Sequence, residues 1–325
     1  MDNVTHSLVG WALAETGLKG KTRKGLAACI LAANMPDIDV FLHAVPWAPL
    51  AMHRGFTHSL IGGVLVLPPL LAGLLWLLDA WQRRQGRDFA GMPGMHAGWL
   101  LALCYLGALT HPLLDLQNIY AIQLFSPVSA RWFHTDGLFI VSPWLLAFLG
   151  LGVTLSRRRA SRRKVQVGTP AGLALLASGL FIALNIAISQ LAFAALEAGP
   201  PYAHPDRAFA SPPPFAFWQR EVIWRKDGRI ARGVFDPMHD PFALRSYGEP
   251  VADAMDDPLV RRAVASSAAL RDFLAWSQLP FARVRRAPCA AEVTIGDARY
   301  AKGPVARGFT VTAEVPLPGA GCRAR

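Results

Sequence analysis

The chain has 325 residues, 53% of them hydrophobic and only 17% charged, with a formal net charge of +11. A soluble protein carries nearer a quarter of charged residues, and here the apolar residues lie in long blocks, which excludes an ordinary soluble globule. The basic residues cluster in short connections between those blocks, which is a membrane-topology signal and argues against nucleic-acid binding.

In chain order, Leu8–Leu18 is apolar but broken by Glu15, and Leu26–Met35 runs into Pro36-Asp37-Ile38-Asp39. Each is too short to cross a bilayer alone; together they read as a re-entrant pair, or as one crossing with an interfacial helix. Neither resembles a cleaved signal peptide, since no basic n-region precedes them. Leu60–Leu78 (19 residues), Ala97–Leu114 (18), Gly137–Leu155 (19) and Pro170–Leu196 (27) follow. About 20 apolar residues cross about 30 Å of hydrocarbon, so these four read as crossings and the apolar segments number about five.

Three basic clusters set the expected orientation. They are Lys19, Lys21, Arg23 and Lys24; Arg83, Arg84 and Arg87; and Arg157, Arg158, Arg159, Arg162, Arg163 and Lys164. Only Arg54 and Arg131 lie in the alternate loops. Lys and Arg in short loops mark the cytoplasmic side, which leaves Val45–Thr57, Leu116–Asp136 and everything after Glu197 outside.

The tail begins with a proline-rich spacer, Gly199-Pro200-Pro201 through Pro212-Pro213-Pro214. Beyond it, Glu221–Trp224 and Arg229–Phe235 flank the turn signal Lys226-Asp227-Gly228. Glu292–Tyr300 and Gly308–Val315 read as another strand pair, and Asp256–Leu274 as helical. The expected organisation is therefore an α-helical membrane domain over 1–196, a linker over 197–215, and a small α+β, mostly β, extracytoplasmic domain over 216–325. Cys29 and Cys104 lie in apolar segments, whereas Cys289 and Cys322 could bridge in an oxidising exterior.

Chemistry-bearing residues gather at the ends of these segments. His6 opens the first apolar stretch, and Asp37 and Asp39 close the next. His53 and His58 precede the first long crossing, with Arg54 between them. His111 and Asp115 end the second, four apart and so on one helical face. His134 and Asp136 stand before the third. On the expected topology all fall in one layer, and ionisable groups at membrane depth read as functional. Imidazole and carboxylate donors without thiolate suit zinc, manganese or iron. Thr5-His6-Ser7-Leu8 recurs as Thr57-His58-Ser59-Leu60, with Gly10 and Gly62 in register, and Thr110-His111-Pro112-Leu113 is a looser copy. The threonines are candidates to orient the imidazole rings. His43, His96, His204 and His239 have no such partners.

The run of Thr-His-Ser, Asn34-Met35-Pro36-Asp37-Ile38-Asp39, His53-Arg54-Gly55-Phe56-Thr57-His58-Ser59 and Thr110-His111-Pro112-Leu113-Leu114-Asp115 resembles the membrane-bound metal-dependent hydrolase family. That family includes LexA-regulated proteins of the bacterial inner membrane. By motif the resemblance covers about residues 1 to 155. More distantly, the order of motifs is similar to zinc-dependent phospholipase C and the single-strand-specific zinc nucleases. That likeness implies zinc held by His6, Asp37, His58, His111 and Asp115, although no second clear His-x-x-x-Asp pair is present.

The resulting expectation is a multi-pass inner-membrane hydrolase using a divalent metal, zinc by the resemblance, at the outer face. Its metal ligands are expected among His6, Asp37, His53, His58, His111 and Asp115. Asp39 or a second carboxylate is the expected general base, and Arg54 the expected phosphate-binding group. The bilayer is its partner, with a phospholipid or lipid-linked phosphodiester as substrate. The alternative is a non-enzymatic membrane protein, either a metal transporter or a scaffold.

Overall fold

The computed structural model describes residues 1–41, 54–163, 168–199, 204–246, 249–301 and 306–317. It divides into a helical unit (1–41, 54–189 and 211–217) and a β-rich unit (190–199, 204–210 and 218–317).

The helical unit begins with α1 (Asn3–Glu15), whose N-terminus is capped by the Asp2 carboxylate accepting from the Val4 and Thr5 amides. After α2 (Gly25–Asn34), Pro36 cannot extend the helix, and Met35–Phe41 tightens into 3-10 turns that carry Asp37 and Asp39. A further 3-10 turn, Phe56–His58, leads to Ser59, whose side chain caps Gly62 N at the start of a π-helical stretch, Leu60–Val66. That stretch continues into α3 (Leu67–Arg84). Then come α4 (Ala97–Asp115), α5 (Pro143–Arg163) and α6 (Thr169–Ala198).

Small residues make up much of the packed centre. Ala14, Ala28, Cys29, Ala32, Cys104 and Ala108 are all essentially fully buried and cluster with Leu71, Leu75, Leu100 and Leu103. Helices in a lipid environment approach closely through such small side chains. The apolar surface points the other way: Leu173, Leu176, Leu180 and Leu184 form an exposed stripe along α6.

Among the described residues, three helical stretches are long and apolar enough to cross a membrane: Leu60–Arg84, Ala97–Asp115 and Thr169–Ala198. The expected count of about five is not met. At the N-terminus α1 and α2 have only 13 and 10 residues. The block Gly137–Leu155 is apolar throughout, but its helix starts only at Pro143 and ends in Ser-Arg-Arg-Arg-Ala-Ser-Arg-Arg. Residues before Pro143 are held in irregular backbone, with Leu138 N donating to Gln117 O and Asp2 N to Ile140 O.

The β-rich unit holds two antiparallel sheets. In the first, β1 (Arg207–Ser211), β2 (Arg220–Lys226), β3 (Arg229–Phe235) and β4 (Arg245–Ser246) lie in that order, and β5 (Val251–Ala252) also pairs with β3. Asp227 and Gly228, at φ 50° and 66°, make the β2–β3 turn, the backbone that an Asp-Gly hairpin favours. Strand β1 lies inside the stretch read as a spacer; pairing with β2 orders it despite the flanking prolines. Helices α7 (Pro258–Ser266) and α8 (Ala268–Trp276) precede the second sheet, β6 (Pro280–Arg286), β7 (Ala290–Asp297) and β8 (Thr310–Pro316). Cys289 is disulfide-bonded, Cys29 and Cys104 are free, and Cys322 lies outside the described residues.

Candidate metal centre

Two glycines bring the first histidines together. A Cβ at Gly10 of α1 would lie 2.5 Å from Cys29 O of α2, and one at Gly107 of α4 would lie 2.6 Å from the same oxygen. With both helices pressed against one turn of α2, His6 and His111 each sit about one helical turn from their glycine. Their rings stack at 3.9 Å between centroids. Asp115 lies one turn beyond His111, its carboxylate Oδ2 3.3 Å from His111 Nε2 and its Oδ1 3.5 Å from His6 Nε2.

The 3-10 turns after α2 and before α3 supply the rest. Asp37 Oδ1 is 3.1 Å from His58 Nε2 and 3.6 Å from His111 Nε2. His58 Nε2 also lies 3.5 Å from Asp115 Oδ2. Two sets of donor atoms result, His6–His111–Asp115 and Asp37–His58–His111, each with all atoms within 4.8 Å of one another. His6, His58, His111 and Asp115 are fully buried, and Asp37 nearly so.

Donor chemistry at this point suits a cation. His111 Nδ1 donates to Ala33 O at 2.7 Å, which fixes the tautomer and leaves Nε2 with a lone pair facing the cluster. Both ring nitrogens of His6, Nε2 of His111 and Oδ2 of Asp115 are buried with no hydrogen-bond partner among the described residues. Buried polar atoms left without partners are costly, and three of them, Nε2 of His6, Nε2 of His111 and Oδ2 of Asp115, lie close enough together for one bound cation to satisfy. Asp37, Asp39 and Asp115 bring three carboxylates together, and the positive groups beside Asp115 are Arg54 and the Met1 amino group.

Asp39, the expected general base, lies against His58. Its Oδ2 is 3.4 Å from Nδ1 of His58, the side of the ring turned away from Asp37, and accepts a short hydrogen bond from Thr57 Oγ1. Thr57 Oγ1 is also 3.1 Å from His58 Nδ1. Both groups are placed to orient the His58 ring, with Asp39 behind it rather than in front.

Arg54, in left-handed backbone at φ 69°, is buried against the Asp115 carboxylate. Its Nη2 lies 3.4 Å from Asp115 Oδ1, its Nη1 donates to Asn118 Oδ1 at 3.2 Å, and its guanidinium covers the Tyr120 ring. Of the remaining expected residues, His53 lies outside the described residues. His134 and Asp136 pair with each other at 2.7 Å and belong to neither donor set. Sequence reasoning missed Asn118 and Met1, whose amino group makes a short contact with Asp115. Neither carries a local signal, since both are recruited by the fold.

At the opposite end of the helical unit the three basic clusters gather. Arg23 bonds Asp79 of α3, Arg157 lies over Trp11 of α1, and Gly168 approaches Thr16.

The sequence profile of the YdjM inner membrane protein family matches residues 1–192, and the chain belongs to that family. No curated protein and no solved structure matches it.

Proposed function

We propose that the helical unit is a metal-dependent hydrolase of phosphodiesters that works at the membrane surface. The observation that carries this reading is the convergence of His6, Asp37, His58, His111 and Asp115 on one buried point, where Nε2 of His6, Nε2 of His111 and Oδ2 of Asp115 have no hydrogen-bond partner among the described residues. These five residues would hold the cation, zinc being the ion that best suits imidazole with carboxylate. A divalent cation bound there supplies Lewis-acid polarisation and activation of water.

The chain's own residues do the rest. Asp39 and Thr57 hold the His58 ring, and the Ala33 carbonyl holds that of His111. Arg54, fixed by Asn118 and packed on Tyr120, presents a positive charge beside Asp115 where a phosphate oxygen would dock. The basic clusters lie at the other end of the helices, so the positive-inside rule assigns the cluster to the outer face. At that depth the accessible phosphodiesters are phospholipids and lipid-linked phosphates.

The test is metal content and turnover of purified protein in lipid nanodiscs. Wild type is expected to carry a stoichiometric transition metal. It is also expected to cleave bis-p-nitrophenyl phosphate or vesicle phospholipid, with loss on chelation and recovery on adding zinc. Arg54→Gln should keep the metal and lose most turnover. Metal without turnover would favour the carrier or scaffold reading.

A further inference from the structure

The helical unit carries a second polar concavity, far from the histidines. It lies at the basic end, between the last turns of α3 and the loop that leads to α4, and has a volume of about 750 Å³. That is within the usual range for a ligand-sized cleft. Along α3 the distance from His58 is roughly 35 Å, at 1.5 Å per residue.

Its walls gather like charges. The Phe89 ring is approached by the Arg23 guanidinium at 4.4 Å, the Lys24 ammonium at 5.4 Å and the Arg87 guanidinium at 5.9 Å. Arg83, in the last turn of α3, lines the same space. Two carboxylates stand against these cations. Asp79, 3% exposed, is engaged by Arg23 through a two-point ion pair at 2.7 and 3.0 Å. Asp88 accepts from Ala90 N at 2.8 Å. Lys24 donates to Gln82, which carries no charge. The cations at the cleft therefore outnumber the carboxylates, and holding them together costs Coulomb energy that a bound anion offsets.

The rim has a second character. Trp76, one turn before Ala80 on α3, is 42% exposed and lines the cleft together with Met95. A cleft that is cationic inside and apolar at its lip, at the end of apolar helices, matches an amphiphile. Basic pockets between membrane helices recognise phosphate headgroups this way, and an Arg guanidinium offers phosphate two parallel N–H donors.

We propose that this cleft binds a phosphate-bearing anion, with the Arg83 and Arg87 guanidinia as its main ligands and an anionic phospholipid headgroup as the source that fits the apolar rim. The site is separate from the histidine cluster and does not depend on the hydrolase reading.

The experiment compares lipid binding by the full-length protein and two double variants of equal charge loss. Arg83→Gln/Arg87→Gln alters the cleft; Arg158→Gln/Arg159→Gln removes two exposed arginines from the end of α5. Binding of phosphatidylglycerol and phosphatidylcholine is counted by native mass spectrometry, and melting in phosphatidylcholine confirms that each variant is folded. Wild type should prefer phosphatidylglycerol. The cleft variant should bind it about tenfold more weakly, while the α5 variant stays within about twofold of wild type. Millimolar inorganic phosphate distinguishes the sources. If it displaces the lipid, the phosphate group alone suffices, free or esterified; if the lipid persists, the lipid is the ligand. Equal losses in the two variants, or no preference for the anionic lipid in wild type, would overturn the proposal.

Discussion

His6 and His111 stack nearly parallel, with 14° between their ring planes, although 104 residues separate them. Their meeting depends on Gly10 and Gly107, which let α1 and α4 share the Cys29 carbonyl as a contact. Gly107→Ala places a methyl 2.6 Å from that backbone oxygen and 2.9 Å from the Ala32 methyl, so α4 must move outward. Overpacking of this kind costs about 1–3 kcal/mol. The variant should insert and fold, melt lower than wild type, and bind zinc more weakly, because His111 moves with its helix. Unchanged zinc affinity in a destabilised Gly107→Ala protein would mean that the glycine contact does not position the donors.

Asp39 and Thr57 give a graded prediction. They touch His58 on the ring nitrogen that faces away from Asp37, so Thr57→Val should weaken metal affinity by about 10–100-fold without abolishing it. Asp39→Asn should do the same. Competition with a chromogenic zinc chelator measures both. Complete loss in either variant, equal to that of His58→Ala, would make the replaced residue a direct ligand.

What could be read in the sequence is what short-range chemistry encodes. The His111–Asp115 spacing and the Asp227-Gly228 turn each depend on neighbours within four residues, and each lies where that spacing implied. Of the three Thr-His pairs, by contrast, Thr57 alone bonds toward its neighbour's ring, Thr5 bonding Asp2 and Thr110 the Gly107 carbonyl. The span count depends on where a helix begins. Gly137–Leu155 passes any hydropathy window, yet its first six residues are drawn into contacts with Gln117 and Asp2, and Pro143 then starts the helix. The position of Asp39 behind His58 depends on the twist of a 3-10 turn, and Asn118 on a loop fold. No local pattern announces either.

The path of the helices fixes a topology test. The loop after α3 lies at the basic end, and α6 starts at that same end, where Gly168 meets Thr16. With 30 residues, α6 is long enough to cross. Reporter fusions after Gly86 and after Gly199 should therefore report opposite sides, the first cytoplasmic. Both reporting from one side would contradict that path.

Asp297 gives the β-rich unit a defined acid lability. Burial alone would raise its pKa. The Arg299 guanidinium at 2.8 Å, the Ser277 hydroxyl at 2.5 Å and the Arg299 amide outweigh burial and hold it below the ordinary 3.8. A carboxylate with a depressed pKa adds stability that is fully present above its unfolded value and is lost as pH falls through the folded one. Near-ultraviolet circular dichroism of the tail should thus hold steady down to about pH 4 and collapse below it. Asp297→Asn leaves Arg299 buried without its partner, a loss of roughly 3–5 kcal/mol, and should flatten the remaining dependence on acid.

Asp115 is the residue on which the metal reading stands most exposed. It lies within 3.5 Å of His6, His58, His111 and Arg54, and it is fully buried. Asp115→Asn keeps its shape and one carbonyl oxygen but removes the charge that would face a dication. If the residue serves only to hold histidines by hydrogen bonds, the amide should preserve most of the structure and change little else. If it serves a cation, the amide should strip bound metal as thoroughly as His58→Ala or His111→Ala, while His204→Ala and His239→Ala, in the β-rich unit, leave it in place. A lost ligand should cost more than the 10–100-fold of a supporting residue, which elemental analysis of purified protein resolves easily. Retention of stoichiometric zinc by Asp115→Asn would sink the charge argument. Retention by an Asp115→Asn/His111→Ala double variant would sink the metal centre altogether and leave the cluster as a packing device.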